Sequence, residues 1–255
     1  MLIRQIIGIA SLVPIAAAPS GLSTPQLGFV RAPDATLRPL WGVRANFLLG
    51  PPVAEGVIGA VSGGGQTLVH CPGELILLDG SGSRAILAAP PGPAVLGFDL
   101  RGLPAAAWFP DAATLALRSP GHWRIVPFEP GGWVLAVARP RPGVVLFVLR
   151  RPDGVWRIQT SIDDGATLDA VRVADAVNAA VFLPENLMLY HGADELVLLD
   201  ETGNERRTPL PGMVTTMEPA GEGWVLLHRQ EPCPPLLVQT KVGPLGVFLL
   251  PGGAR

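Results

Sequence analysis

Lysine is almost missing from this chain of 255 residues: Lys241 is the only one. Tyrosine is reduced to Tyr190, and cysteine to Cys71 and Cys233. No run of Lys and Arg occurs, and the formal charge is −2. The chain therefore lacks the basic face that neutralising nucleic-acid phosphates requires. Charged residues are sparse at 16 %, against 48 % hydrophobic residues, which excludes a disordered chain. A chain of this length buries a substantial core without metal or disulfide staples. No G-x-S-x-G elbow, H-E-x-x-H pair, phosphate loop or dinucleotide fingerprint is present. Past residue 18 no apolar stretch is long enough to cross a bilayer.

What is abundant is punctuation. With 31 Gly and 28 Pro, turn-formers interrupt the whole chain and leave little room for long helices. The start is different. Met1–Gln5 carries one positive charge, at Arg4, and Ile6–Ala18 is an almost unbroken apolar run ending in small residues. That length suits the core of a signal peptide better than a membrane span of about twenty residues. Pro19 disfavours cleavage directly after Ala18, so a cut after Ala17 or slightly later is expected. Residues 1–20 are thus read as a signal peptide or N-terminal apolar segment, and 21–255 as one exported domain.

Within that domain a hairpin recurs. Glu74–Asp79, the turn Gly80-Ser81-Gly82 and Arg84–Ala89 form one copy. Further copies are Thr114–Ser119 with Trp123–Phe128, Val155–Ser161 with Thr167–Val173, Glu195–Asp200 with Glu205–Leu210, and Leu236–Lys241 with Gly246–Leu250. Another, Leu27–Arg31 with Thr36–Leu40, precedes them all. Turn centres fall near residues 34, 81, 120, 164, 202 and 242, an interval of about forty. Two more short apolar runs separate successive hairpins, such as Val57–Val61 and Thr67–Cys71. Four short strands per repeat is the blade unit of a β-propeller. The expected fold is therefore all-β: a propeller of five complete four-stranded blades plus an N-terminal hairpin, either five-bladed or an incomplete six. A β-sandwich or barrel is the alternative.

One turn carries a resemblance. Ser161-Ile162-Asp163-Asp164-Gly165-Ala166-Thr167-Leu168 resembles the Asp box, the S-x-D-x-G-x-T-W turn of sialidase-type propellers and many secreted bacterial propeller proteins. Ser161, Asp163, Gly165 and Thr167 match, and Leu168 replaces the usual Trp. Asp and Ser side chains can hydrogen-bond such a turn, and Gly supplies a positive φ. The resemblance implies a peripheral, structural role for these four residues and a periplasmic or extracellular bacterial setting. It does not imply sialidase activity. That would require an arginine cluster, a supporting acid and a tyrosine nucleophile, and the lone Tyr190 sits in an apolar strand.

Other chemistry-bearing residues have structural readings. His70, His191 and His228 fall at the ends of the second strands of their blades, which repeat equivalence explains better than a metal ring. His122 stands in a hairpin turn, and Gly63-Gly64-Gly65 joins two strands as a tight turn. Cys71 and Cys233 follow second strands in the first and last complete blades, so a disulfide there would help fasten the ring. Equivalent positions are usually farther apart than the roughly 4.4–6.8 Å between Cα atoms a bridge requires, which leaves two free thiols as the competing reading. No catalytic residue, metal site or cofactor is assigned.

The functional expectation is a monomeric, non-catalytic binding scaffold for an unidentified protein or glycan partner, with loops at one face as its site. The alternative is a glycosidase- or lyase-like carbohydrate-active enzyme working at the channel mouth. Convergence of acidic or arginine side chains at that mouth separates the two.

Overall fold

Runs of Val, Leu, Ile and Ala bounded by Gly, Pro and Asp become strands, and the chain contains little else. The computed structural model describes residues 24–43, 46–79, 84–119, 122–241 and 243–250. Residues 1–20 and the turns expected at Gly80-Ser81-Gly82 and Pro120-Gly121 lie outside the described residues.

Twenty of the strands form five antiparallel four-stranded sheets in chain order. Sheet 1 comprises β4 (Gly59–Gly63), β5 (Gln66–Cys71), β6 (Glu74–Asp79) and β7 (Arg84–Ala88). Sheet 2 comprises β8 (Val95–Phe98), β9 (Pro104–Phe109), β10 (Thr114–Ser119) and β11 (His122–Pro127). Sheet 3 has β12 (Trp133–Arg141), β13 (Val144–Arg151), β14 (Gly154–Ser161) and β15 (Thr167–Ala174). Sheet 4 has β16 (Ala179–Phe182), β17 (Met188–His191), β18 (Glu195–Leu199) and β19 (Glu205–Pro209). Sheet 5 has β20 (Val214–Gly221), β21 (Trp224–Arg229), β22 (Leu236–Gln239) and β23 (Gly246–Leu249). The first strands touch in cyclic order β4, β8, β12, β16, β20, and β20 meets β4 again through a parallel pair at Ala220 and Ser62. The fold is a β-propeller.

The expected N-terminal hairpin gains a third strand: β1 (Gln26–Arg31), β2 (Leu37–Val43) and β3 (Asn46–Leu49) form one antiparallel unit. Asn46-Phe47-Leu48-Leu49 is too short an apolar run to stand out in the sequence. This unit is packed on both faces. Val30, Leu40 and Phe47 join a core with Trp224, Leu226 and Leu237 of sheet 5. Leu37 and Phe29 join Val57, Ala60 and Val69 before and within sheet 1. Strand alternation makes this possible, since Phe29 and Val30 point to opposite faces of β1. Every other core is likewise shared by successive sheets, for example Trp108 and Leu115 of sheet 2 with Val137 and Phe147 of sheet 3.

First to third strands are thus covered on both faces and read as apolar throughout, as doubly covered sheets do. Fourth strands depart from that pattern. β7, β11, β15 and β19 are largely exposed, because they lie on the outer edge of the ring.

Where first strands meet, backbones touch. Gly28 (φ +156°) and Gly221 (φ +145°) pair where β1 crosses β20. A Cβ on Gly28 would lie 1.7 Å from the Ala220 carbonyl oxygen, and one on Gly221 would lie 1.8 Å from that of Leu27. Only glycine fits both the space and the φ. Gly28→Ala is expected to cost about 3 kcal/mol in urea unfolding, at the upper end of overpacking effects. Gly192→Ala, whose Cβ would meet nothing closer than 3.9 Å, is expected to leave the midpoint nearly unchanged. Matching midpoints for Gly28→Ala and the wild type would contradict this account of the seam.

Candidate functional site

The ring encloses an open cavity of about 890 Å³, lined by the starts of the first strands of all five sheets and by Arg31 of β1. Its lining divides by sheet. Sheets 1 to 3 supply an apolar arc that includes Ile58, Pro93, Val95, Trp108, Phe128 and Trp133. Arg150, Asn178, Thr216, Glu218 and Arg31 supply a polar arc that runs from sheet 3 to β1. Asp111 and Glu129, from connections in and after sheet 2, add two acids. Trp133 is 65 % exposed and Met213 51 % exposed, unusually open for such large apolar side chains.

The polar arc holds one compact charged group. Arg31 Nε donates to Glu218 Oε1 at 2.9 Å. His228 Nε2 lies 3.3 Å from Arg31 Nη2 and also 3.3 Å from Glu218 Oε2. The side chains of Arg31, Glu218 and His228 are only 22 %, 13 % and 17 % exposed, so the ion pair works in a partly desolvated setting. Although the His228 contact falls within ion-pair distance, Glu218 Oε2 is buried without a hydrogen bond. Arginine and acid therefore do converge at the cavity wall, but this group contains a single carboxylate, already paired.

The other histidines serve the connections between sheets. His70 is the penultimate residue of β5 and is fully buried; its Nε2 donates to the carbonyl of Pro90, on the way to sheet 2, at 3.4 Å. His191 closes β17, equally buried, and its Nε2 donates at 3.0 Å to the carbonyl of Leu210, on the way to sheet 5. Arg150 near the end of β13 does the same, donating to the carbonyls of Val177 at 2.7 Å and Asn178 at 3.2 Å. In sheet 2 an aromatic contact stands in, with Trp108 edge-on to Phe128 at 6.4 Å between ring centres. The repeated histidines are thus ties from a second strand to the connection leading onward. Among the described residues, no group of three or more His, Cys, Asp or Glu residues is placed to hold a metal ion.

Ser161, Asp163, Gly165 and Thr167 lie at the turn between β14 and β15, away from the large cavity. Ser161 N–H donates to the Ala166 carbonyl at 2.9 Å, and Gly165 N–H to the Ser161 carbonyl at 3.1 Å, with Gly165 at φ +69°. The carboxylate that accepts a turn N–H is that of Asp164, from Ala166 at 3.1 Å, and hydrogen bonds from Ser161 and Ala166 lower its pKa. Asp163 instead faces Arg124 across 3.8 Å, exposed. Gly165 and Thr167 also border a second cavity of about 440 Å³, together with Glu129 and Arg151. Cys71 and Cys233 are both free thiols. Tyr190 is buried, and its burial raises its pKa. His122 opens β11 and is exposed. Sequence reasoning passed over Arg31 and Glu218. Each is a lone charge in an apolar strand, and they are 187 positions apart.

Comparisons with known proteins add the fold and stop there. No protein-family model matches the chain, and no curated protein matches it. Among solved structures, TolB from Acinetobacter baumannii is similar at a TM-score of 0.54 and 10 % identity, over 87 % of this chain and 65 % of TolB. PorZ, an essential bacterial surface component of the type-IX secretion system of Porphyromonas gingivalis, is similar at 0.45 and 12 %, over 91 % of this chain and 39 % of PorZ. A Bacteroides caccae protein of unknown function gives 0.48 and 13 %, over 90 % of this chain and all (100 %) of that one. The chain thus spans less than two thirds of TolB and of PorZ.

Burial also sets a pH dependence. Desolvation holds the pKa of His70 below its ordinary 6.5, since its neutral ring has only the Pro90 carbonyl as partner. The unfolded chain then takes up a proton before the folded one as pH falls. This contribution to stability is present above pH 6.5 and is lost as pH falls toward the lowered folded-state value. His70→Phe, which keeps a buried ring but cannot titrate, is expected to flatten the dependence of urea stability on pH between about 7 and 5. An unchanged slope would show that His70 is not its source.

Proposed function

We propose that this chain is an exported, non-catalytic propeller scaffold that binds its partner at the mouth of the central cavity. The observation that carries this reading is an open cavity of about 890 Å³, ringed by all five sheets, with Trp133 and Met213 exposed among its lining residues. A concave, mainly apolar site with a few placed polar groups is the common form of a ligand pocket. Exposed aromatic anchors dominate binding energy where a partner buries them. Export rests on the apolar run Ile6–Ala18, which also supports a periplasmic or extracellular location. We read 21–255 as one domain in which β1–β3 stands as an incomplete sixth blade, because it is packed on both faces as the other sheets are. The partner is a protein or a glycan, and the scaffold is monomeric. The turn at Ser161, Asp163, Gly165 and Thr167 is a peripheral structural element of Asp-box type.

One observation favours a second reading, that of a carbohydrate-active enzyme. Glu218, Asp111 and Glu129 line the same cavity, and Arg31 pairs with the first of them. The two readings separate on one set of variants. Ligands found in a glycan and peptide array are expected to lose on the order of 2 kcal/mol, about thirtyfold in affinity, in Trp133→Ala with an unchanged melting temperature. Undiminished binding by Trp133→Ala and Met213→Ala would remove the mouth as the site. Turnover of a bound glycan by the wild type, abolished in Glu218→Gln, would replace the scaffold reading with the enzymatic one.

A further inference from the structure

The Arg31–Glu218–His228 group goes beyond a static ion pair, because one nitrogen is asked to do two incompatible things. His228 Nε2 lies 3.3 Å from a donor, Arg31 Nη2, and 3.3 Å from an acceptor, Glu218 Oε2. A ring nitrogen either carries a proton or offers a lone pair. With a neutral ring protonated on Nδ1, Nε2 accepts from Arg31 Nη2–H. Glu218 Oε2, 3.3 Å from Nε2 but off the line of a ring N–H, has no hydrogen bond in this arrangement. When Nε2 also gains a proton, the nitrogen can no longer accept from Arg31, and a small turn of the ring aims its N–H at Oε2. The buried carboxylate becomes satisfied on both oxygens, while the arginine faces a like charge.

Position gives this exchange a consequence. Arg31 belongs to β1, whereas Glu218 and His228 belong to neighbouring strands β20 and β21 of sheet 5. The Arg31–His228 bond crosses the seam between the N-terminal unit and sheet 5. The His228–Glu218 bond stays inside sheet 5. We propose that His228 is a proton-operated latch, in which protonation exchanges a bond across the seam for one within sheet 5 and frees an Arg31 N–H edge toward the cavity. Among the described residues, the charged side chains in contact with the ring are Arg31 from β1 and Glu218 from β20. Arg229, next along β21, donates instead to the Pro234 carbonyl, and Thr215 of β20 donates to the His228 carbonyl.

The test is local and uses the intact protein alone. Amide hydrogen exchange of Gly28–Arg31 is followed relative to that of β13, each corrected for the intrinsic pH dependence of exchange. In the wild type this ratio is expected to rise several-fold as pH falls through the titration of the His228 ring, itself followed by NMR. In His228→Gln, which cannot change its charge, the ratio is expected to stay flat. Should that variant fold poorly, Arg31→Leu serves as the second probe: it leaves no donor across the seam to lose, and a flat ratio is again expected. A pH-independent ratio in the wild type would overturn the latch, and so would a rise that persists equally in both variants. The loss of stability expected from His70 is global, and repeating the comparison in His70→Phe removes it.

Discussion

Closing the ring is the constraint on which the rest of this structure depends. Five sheets placed in cyclic order must join the last to the first, and here the direct junction is one parallel pair between Ala220 and Ser62. The remainder of the gap is filled by β1–β3, which gives one apolar face to sheet 5 and the other to sheet 1. The wedge needs close backbone approach at its inner edge, which the facing glycines Gly28 and Gly221 allow. Farther out it relies on aromatic packing, with Phe47 edge-on to Trp224 at 5.2 Å and to Phe248 at 5.8 Å. A wedge of three short strands has little area to bury on its own, so its stability comes from both neighbours together. The N-terminal unit and the seam therefore form one cooperative element.

The same need to connect sheets explains most of the residues that look chemical. A buried connection carries carbonyls that must find donors or cost free energy. His70, Arg150 and His191 meet that need from equivalent places, each reaching from the end of a second strand to the connection ahead. His228 occupies the same kind of place in sheet 5, but what it faces is the N-terminal unit. The strand across its seam is β1, and the side chain that meets it is Arg31. A repeated structural role thus becomes an ionic group at the seam. The cavity wall is least uniform at that point.

Much of the architecture was legible in the sequence because each blade is local. A run such as Glu74–Asp79 and its return strand lie next to one another in the chain, so turn chemistry and apolar pattern suffice to find them. The same locality made the histidines recognisable as repeat equivalents. What stayed hidden was non-local. Asn46–Leu49 is too short to be noticed until Phe47 is seen against Trp224 and Phe248. Arg31 and Glu218 carry no spacing signal, because ring closure alone brings them together. The exposure of the fourth strands was also hidden: their apolar residues, such as Ile86 of β7, resemble those of the core although they face outward. In the 161–167 turn the carboxylate bonded to the backbone belongs to Asp164, one position beyond the matching aspartate. A shift of one residue is invisible to a pattern and decided only by turn geometry.

The cavity and the seam are also not independent. Arg31 and Glu218 line the cavity and at the same time hold β1 to sheet 5. Any molecule that hydrogen-bonds either side chain alters the balance of bonds across the seam. By reciprocity, any change that loosens the seam alters what the cavity offers such a molecule. Contacts confined to the sheet 2 and sheet 3 part of the apolar arc have no such coupling, since Trp133 opens a strand of sheet 3, whose cores are shared with sheets 2 and 4 and not with β1–β3. The cavity therefore has two chemically different sides with different energetic reach. One contributes affinity alone, and the other links occupancy to the closure of the ring.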